Sequence, residues 1–311
     1  MEGFEEVTEL PRALRAELES RFSVGALRVA GRQPASDGSE KFLFELDDGA
    51  TIEAVDIPDG KRRTLCVSSQ AGCALACRFC VTGFWGAGRN LSSGEIVGQV
   101  LAIQRLRQLD SAGLNLVFMG MGEPLLNLEN LERALAILTE SISWRRITVS
   151  TAGVVPGIEA MARWPKRPNL AISLHAADEE KRSRIMPINR SYPLADLLAA
   201  LARYPVDAGR KITFEYILIR DLNDTPGDAD ALARRLRNLP AKVNLIPINP
   251  DPVLGEQMVP PDDLAIQRFR DRLKAKGLIV TVRRRRGDDV AAACGQLRAF
   301  GRDPRGFRLK L

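Results

Sequence analysis

Seven short runs rich in aliphatic and β-branched residues recur from residue 64 onward: TLCVSS, LNLVFMG, RITVST, NLAISLH, KITFEYILI, KVNLIPIN and LIVTVRR. Each is separated from the next by an amphipathic stretch with helical period. Strands that alternate with helices predict βαβ units and a parallel sheet. Six such units and a last strand suit an open α/β barrel, a partial (β/α)6 form, better than a complete eight-stranded one. Ahead of them, a helical pattern runs from Glu9 to Phe22, and KFLFELDDGATIEAVDIP alternates as a hairpin with Asp48 and Gly49 in its turn. The chain is therefore expected to divide into a small N-terminal α+β extension (1–58), the barrel core (59–297) and a basic C-terminal tail (298–311).

The chemically unusual residues all follow strand ends. Cys73, Cys77 and Cys80 come after the first strand and GMGEP (120–124) after the second. Ser150 and Thr151 close the third, Ser173 and His175 the fourth, and Asn249 the sixth. In α/β barrels the carboxyl ends of the strands build the active site, so these residues predict one composite site on one face.

The thiols decide what that site holds. The chain has five cysteines, and CALACRFC crowds three of them into eight positions. An odd, clustered set in a chain with no signal peptide and no long apolar run fits a cytoplasmic protein that uses thiols as ligands or catalysts rather than as a disulfide framework. A closed zinc site needs four ligands, usually in two pairs, whereas C-x3-C-x2-C offers three; Cys66 is the available fourth in that alternative. Three thiolates can instead hold a four-iron, four-sulfur cluster and leave one iron open to a small molecule. No Gly-rich loop ending in Lys and Ser/Thr is present, so ATP chemistry is not indicated. The net charge of +6 leans mildly toward polyanionic partners.

CALACRFC and GMGEP resemble the CxxxCxxC and GGE-type motifs of the radical S-adenosylmethionine (SAM) superfamily. From Glu53 to Leu297 the chain resembles the RlmN/Cfr family of RNA adenine methyltransferases. The blocks TLCVSSQAGCALACRFC, RNL (89–91), GMGEPLLN, VSTAGVVPGI, AISLHA, MPIN, NLIPINP and RGDDVAAACGQL carry this resemblance in order.

The resemblance implies a role for each matching position. Cys73, Cys77 and Cys80 would hold a 4Fe-4S cluster, and Gly122, Glu123, Ser150, Ser173, Leu174, His175 and Asn249 would place SAM. Cys294 would carry the methyl group as S-methylcysteine, Cys66 would resolve the RNA adduct through a transient disulfide with Cys294, and Glu53 would accept the proton. Each turnover would use two SAM molecules. The implied product is an adenine methylated on a ring carbon. GEPL and RRRRGDD favour C2, and Cfr-like C8 methylation is the alternative. A zinc-stabilised, non-catalytic RNA-binding barrel is the alternative of another class. The implied partners are ribosomal or transfer RNA and a flavodoxin-type electron donor, with no membrane and a monomeric enzyme. The N-terminal part is shorter than the family's helical domain, which leaves the RNA target open.

Overall fold

In this computed structural model the described residues are 3–22, 27–60, 62–283 and 286–297. The expected basic tail, and Arg284 and Arg285 of the RRRR run, lie outside them. Twelve strands are present among the described residues: β1 (Arg28–Pro34), β2 (Glu40–Glu45), β3 (Thr51–Asp59), β4 (Arg62–Cys66), β5 (Gln70–Ala71), β6 (Arg89–Asn90), β7 (Leu114–Phe118), β8 (Ile147–Thr151), β9 (Asn169–Ser173), β10 (Ile212–Leu218), β11 (Ala241–Pro247) and β12 (Ile279–Val282). The nine α-helices among the described residues are α1 (Arg12–Arg21), α2 (Val81–Phe84), α3 (Ser93–Arg107), α4 (Leu128–Leu138), α5 (Val155–Ala162), α6 (Glu179–Ile185), α7 (Leu194–Arg203), α8 (Pro226–Leu236) and α9 (Asp263–Ala275).

Ten strands form one sheet in the order β1-β2-β3-β4-β7-β8-β9-β10-β11-β12. From β4 to β12 every pairing is parallel, and helices fill each of the six crossovers, as the sequence rhythm predicts. β4 is the pivot, because on its other edge it pairs antiparallel with β3. The N-terminal hairpin forms in the expected register around Gly49, whose φ of +79° suits a residue without a Cβ. The expected division after residue 58 falls inside β3, one residue before its end, and Phe42, Phe44 and Ile52 pack in the same apolar core as the barrel strands.

Two local details differ from expectation. α1 starts at Arg12 instead of Glu9, because Pro11 sits at the N-cap with an extended ψ of 144°. β1 was not expected, since RVAGRQP is mostly solvent-facing and shows no apolar alternation. The helix starts follow their caps: Ser92 and Glu95 form a reciprocal capping box on α3, and Thr225 and Asp228 do so on α8. Among the described residues no helix is long and apolar enough to cross a membrane.

The segment that carries Cys294 is irregular and is held from several sides. Asp289 accepts from the Ser36 amide at 2.8 Å and Asp37 accepts from the Gly287 amide at 3.1 Å. The Val81 amide donates to Gly295 O at 2.6 Å and Thr82 Oγ1 to Leu297 O at 2.7 Å. The N-terminal meander and the cluster loop thus share the task of placing it.

Candidate active site

The strand-end loops enclose a cavity of about 140 Å³. Cys73, Cys77 and Cys80 line it together with Gly122, Glu123, Ser150, Ser173, His175 and Cys294. Nine of the thirteen sequence-expected residues thus meet in one place. Gly120 and Gly122 let the second strand-end loop cross the first at close range. A Cβ on Gly120 would lie 2.7 Å from Ser68 Oγ, and one on Gly122, at φ +97°, would lie 2.5 Å from the Gln70 side chain.

Glu123 and His175 in this wall accept hydrogen bonds from backbone amides. Glu123 is buried; its Oε2 accepts from the Ala152 amide at 2.7 Å and its Oε1 from Leu125 at 3.0 Å. Burial nevertheless outweighs those donors and raises its pKa to about 7. His175 adopts a left-handed backbone with φ +59°, and its Nδ1 accepts from the Ile217 amide at 3.1 Å. That bond assigns the ring proton to Nε2. Burial lowers the imidazole pKa to about 3, so the ring is neutral, and Phe79 packs edge-on against it at 4.5 Å.

The other four expected residues do not line this cavity. Leu174, just past the end of β9, is buried in the core, while Ser173 and His175 on either side of it line the cavity. Asn249 faces a smaller neighbouring cavity, where its Nδ2 donates to Cys294 O at 3.2 Å. Cys66 is buried in β4 between Val55 and Val117. Burial first, then the charge of Cys294, raises its thiol pKa to about 12, and Arg283 opposes this. Glu53 is fully buried in β3 with Lys41, whose Nζ lies 3.1 Å from its Oε1. All five cysteines are free, so the Cys66–Cys294 disulfide, expected only transiently during turnover, is not formed here.

Three site residues escaped sequence reading. Arg283 lines the cavity at the end of β12 and is hydrogen-bonded to Cys294; the Cys294 charge, ahead of the opposing effect of burial, raises its pKa. Its strand-end position was the available signal, hidden within RRRR. Glu215, a carboxylate inside the apolar strand β10, accepts from Asn244 Nδ2 at 2.8 Å and also lines the cavity. Arg182 is completely buried in α6, and its guanidinium donates to Leu174 O, Asn189 Oδ1, Ala152 O and Ser173 O, locking two strand-end loops together.

The donor set discriminates between the two metal chemistries. Among the described residues no three Cys, His, Asp or Glu side chains converge as they would around a single ion. The three thiols line one cavity without meeting at a point, as ligands of a larger iron–sulfur cluster do. Cys66, the fourth ligand a zinc site would need, is not in the cavity wall. Burial pushes the Cys73 thiol up to about 12 and the Cys77 and Cys80 thiols upward as well, so they stay protonated until a bound metal takes them as thiolates and releases their protons. The Asn249 Oδ1 is buried without a hydrogen-bond partner, an acceptor left for a ligand. These residues fit a cluster and a polar cofactor beside it.

A family model described as the Radical SAM superfamily matches residues 67–233. The chain is 47% identical over 299 residues to the dual-specificity RNA methyltransferase RlmN of Syntrophobacter fumaroxidans, covering 95% of this chain and 86% of the relative. It is 49% identical to the protein of the same name from Geobacter sulfurreducens, over 95% of this chain and 81% of that one. This chain belongs to the RlmN family. The crystal structure of a radical SAM methyltransferase from Sphaerobacter thermophilus superposes with a TM-score of 0.90 at 45% identity, covering 96% of this chain and 88% of that one. Membership in the radical SAM superfamily implies a 4Fe-4S cluster and SAM, and in this RlmN family member the cavity that Cys73, Cys77 and Cys80 line has the donor set to take them.

Proposed function

We propose that this chain methylates a ring carbon of adenine in RNA, C2 in preference to C8, with Cys294 as the methyl carrier. The observation that supports this most strongly is that Cys294 shares one cavity with Cys73, Cys77 and Cys80. A radical generated beside the cluster would thus find the methyl-bearing sulfur within the same enclosure. The names of the relatives supply RNA as substrate class.

When bound, the cluster and SAM supply an electron and a carbon radical that can remove hydrogen from an S-methyl group. The protein's own residues do the rest. Cys294 takes a methyl group from a first SAM and, once activated by hydrogen loss, joins its methylene carbon to the adenine carbon. The radical adduct gives up one electron, which returns to the oxidised cluster, and Glu53 accepts the proton that the substituted carbon loses, with Lys41 beside it to balance the charge of the carboxylate. Cys66 then attacks the Cys294 sulfur: an S–S bond forms, the sulfur–carbon bond to the base breaks, the freed methylene carbon takes up a proton to become the methyl group, and methylated RNA leaves. The resulting disulfide is reduced from outside, and a flavodoxin-type donor suits the electrons needed. Arg283, which lines the cavity with Cys294 and lies close enough to Cys66 to oppose its rise in pKa, favours the thiolate of Cys66 for this attack. The enzyme is proposed to act as a cytoplasmic monomer.

The test is direct. Protein reconstituted anaerobically with iron and sulfide is given SAM, a reductant and ribosomal or transfer RNA, and the RNA is digested to nucleosides for mass spectrometry. The expected product is 2-methyladenosine, absent with Cys77→Ala, which should also form no 5′-deoxyadenosine. A product methylated only at C8 would overturn the preferred position, and no methylated adenine in any RNA would overturn the reading.

A further inference from the structure

Arg78 in the cluster loop, Arg184 in the last turn of α6 and Arg220 after β10 line one cavity of about 430 Å³, larger than the one that holds the thiols. All three are exposed, and among the described residues none is in an ion pair. Among the described residues Asp221 is the only carboxylate in the wall, which also carries Gln257 and is apolar at Ile219 and Met258. Three like charges gathered around a concave, partly apolar space repel one another unless an anion enters.

The position of this cavity is informative. Arg78 faces it, while Phe79 and Cys80, next in sequence, face the thiol cavity. Ile185 and Met186 divide in the same way, and so do Ile219 and Ile217. The two cavities therefore share one wall at three points, both at the carboxyl ends of the parallel strands. A base that enters the thiol cavity from a polynucleotide brings flanking phosphates with it, and the arginine cavity is where they would fall. Guanidinium groups suit phosphate oxygens because their planar fork donates two parallel hydrogen bonds.

We propose that Arg78, Arg184 and Arg220 form a phosphate-binding subsite that grips the RNA backbone beside the flipped or unpaired target adenosine. This rests on the reading of RNA as substrate. An acidic electron donor is the competing partner for a basic surface near the cluster, but a concave cavity on the substrate face favours a flexible phosphodiester chain over a folded protein.

The experiment measures binding of a fluorescent single-stranded RNA oligonucleotide to the full chain by anisotropy across a salt series. Each phosphate contact contributes about 0.7 to the slope of log affinity against log salt on single strands. Arg78→Gln/Arg184→Gln/Arg220→Gln should reduce that slope by about 2, and the Lys versions should keep most of it because they keep the charge. If Arg78→Gln disturbs the cluster loop, seen as lost iron and sulfide, Arg184→Gln/Arg220→Gln alone should still reduce the slope by about 1.4. An unchanged slope overturns the subsite, and so does a variant that binds RNA normally but is reduced more slowly by flavodoxin. Methylation of RNA by the wild-type protein is scored separately, so failure of the substrate reading is distinguishable from failure of the subsite.

Discussion

Lys41 Nζ lies 3.1 Å from Glu53 Oε1 in a pair of adjacent strands, and both side chains are almost wholly removed from solvent. The same ammonium reaches Ala291 O at 3.5 Å, three residues from the sulfur of Cys294 in the chain. Removing one partner of a buried ion pair leaves the other uncompensated, at a cost of about 3–5 kcal/mol. Lys41→Met should therefore lower stability by that order, and Lys41→Met/Glu53→Gln should recover most of it. Neither variant should regain RNA methylation, expected to fall about 10²–10⁴-fold, the usual contribution of a positioned general base. Peptide mass spectrometry should still find Cys294 methylated in both. RNA methylation at wild-type rate in the double variant would remove Glu53 from the chemistry.

Cys66→Ala should separate packing from catalysis. As a core residue its loss costs only about 1–2 kcal/mol for a small cavity, with activity merely reduced. As the resolving nucleophile its loss blocks the last step alone. The variant should accumulate RNA joined to the protein through a methylene bridge on Cys294, visible on a denaturing gel, and Cys66→Ala/Cys294→Ala should not. Multiple turnovers without an adduct would return Cys66 to the core.

Glu123 should leave a mark on the pH profile of stability. Burial raises its pKa from the ordinary 4.5 to about 7. Between those values the native state keeps a proton that the unfolded chain has released, so stability falls as pH rises through the window, by an amount on the order of 3 kcal/mol. Glu123→Gln should flatten the dependence between pH 4.5 and 7 in urea titrations. An identical slope in the variant would place the proton elsewhere.

Arg182→Met should destabilise the barrel by about 3–5 kcal/mol, because several buried acceptors lose their donor and each unmet one costs about 1–3 kcal/mol. Arg182→Lys should recover only part, since one ammonium cannot reproduce a fork that spans Leu174 O, Asn189 Oδ1 and Ala152 O. Denaturation midpoints of the three proteins provide the measurement.

The strands, the hairpin and the three-thiol loop were legible in the sequence because each rests on a local signal: period two, an Asp-Gly turn, or cysteine spacing. Arg182 was not, because EEKRSRI reads as a solvated helix until the loops from β8 and β9 close over it. Arg283 was concealed by its basic neighbours, although its place after β12 obeys the strand-end rule that found Ser150 and Ser173. Lys41 looked like the polar phase of an alternating strand, and only the return of the C-terminal segment buries it. Leu174 and Asn249 follow strand ends as expected but lie outside the wall of the thiol cavity, a difference in facing that sequence position alone does not carry.

The bonds that place the Cys294 segment join Ser36 to Asp289 and Asp37 to Gly287, separations of 253 and 250 residues. Contacts that close loops of such length form slowly, after the local βα units have already gained their own interactions. The barrel can thus acquire its three-thiol loop before the methyl-carrying sulfur is in place, and competence for methyl transfer is a late event in the maturation of the chain, dependent on a meander that holds none of the cluster ligands.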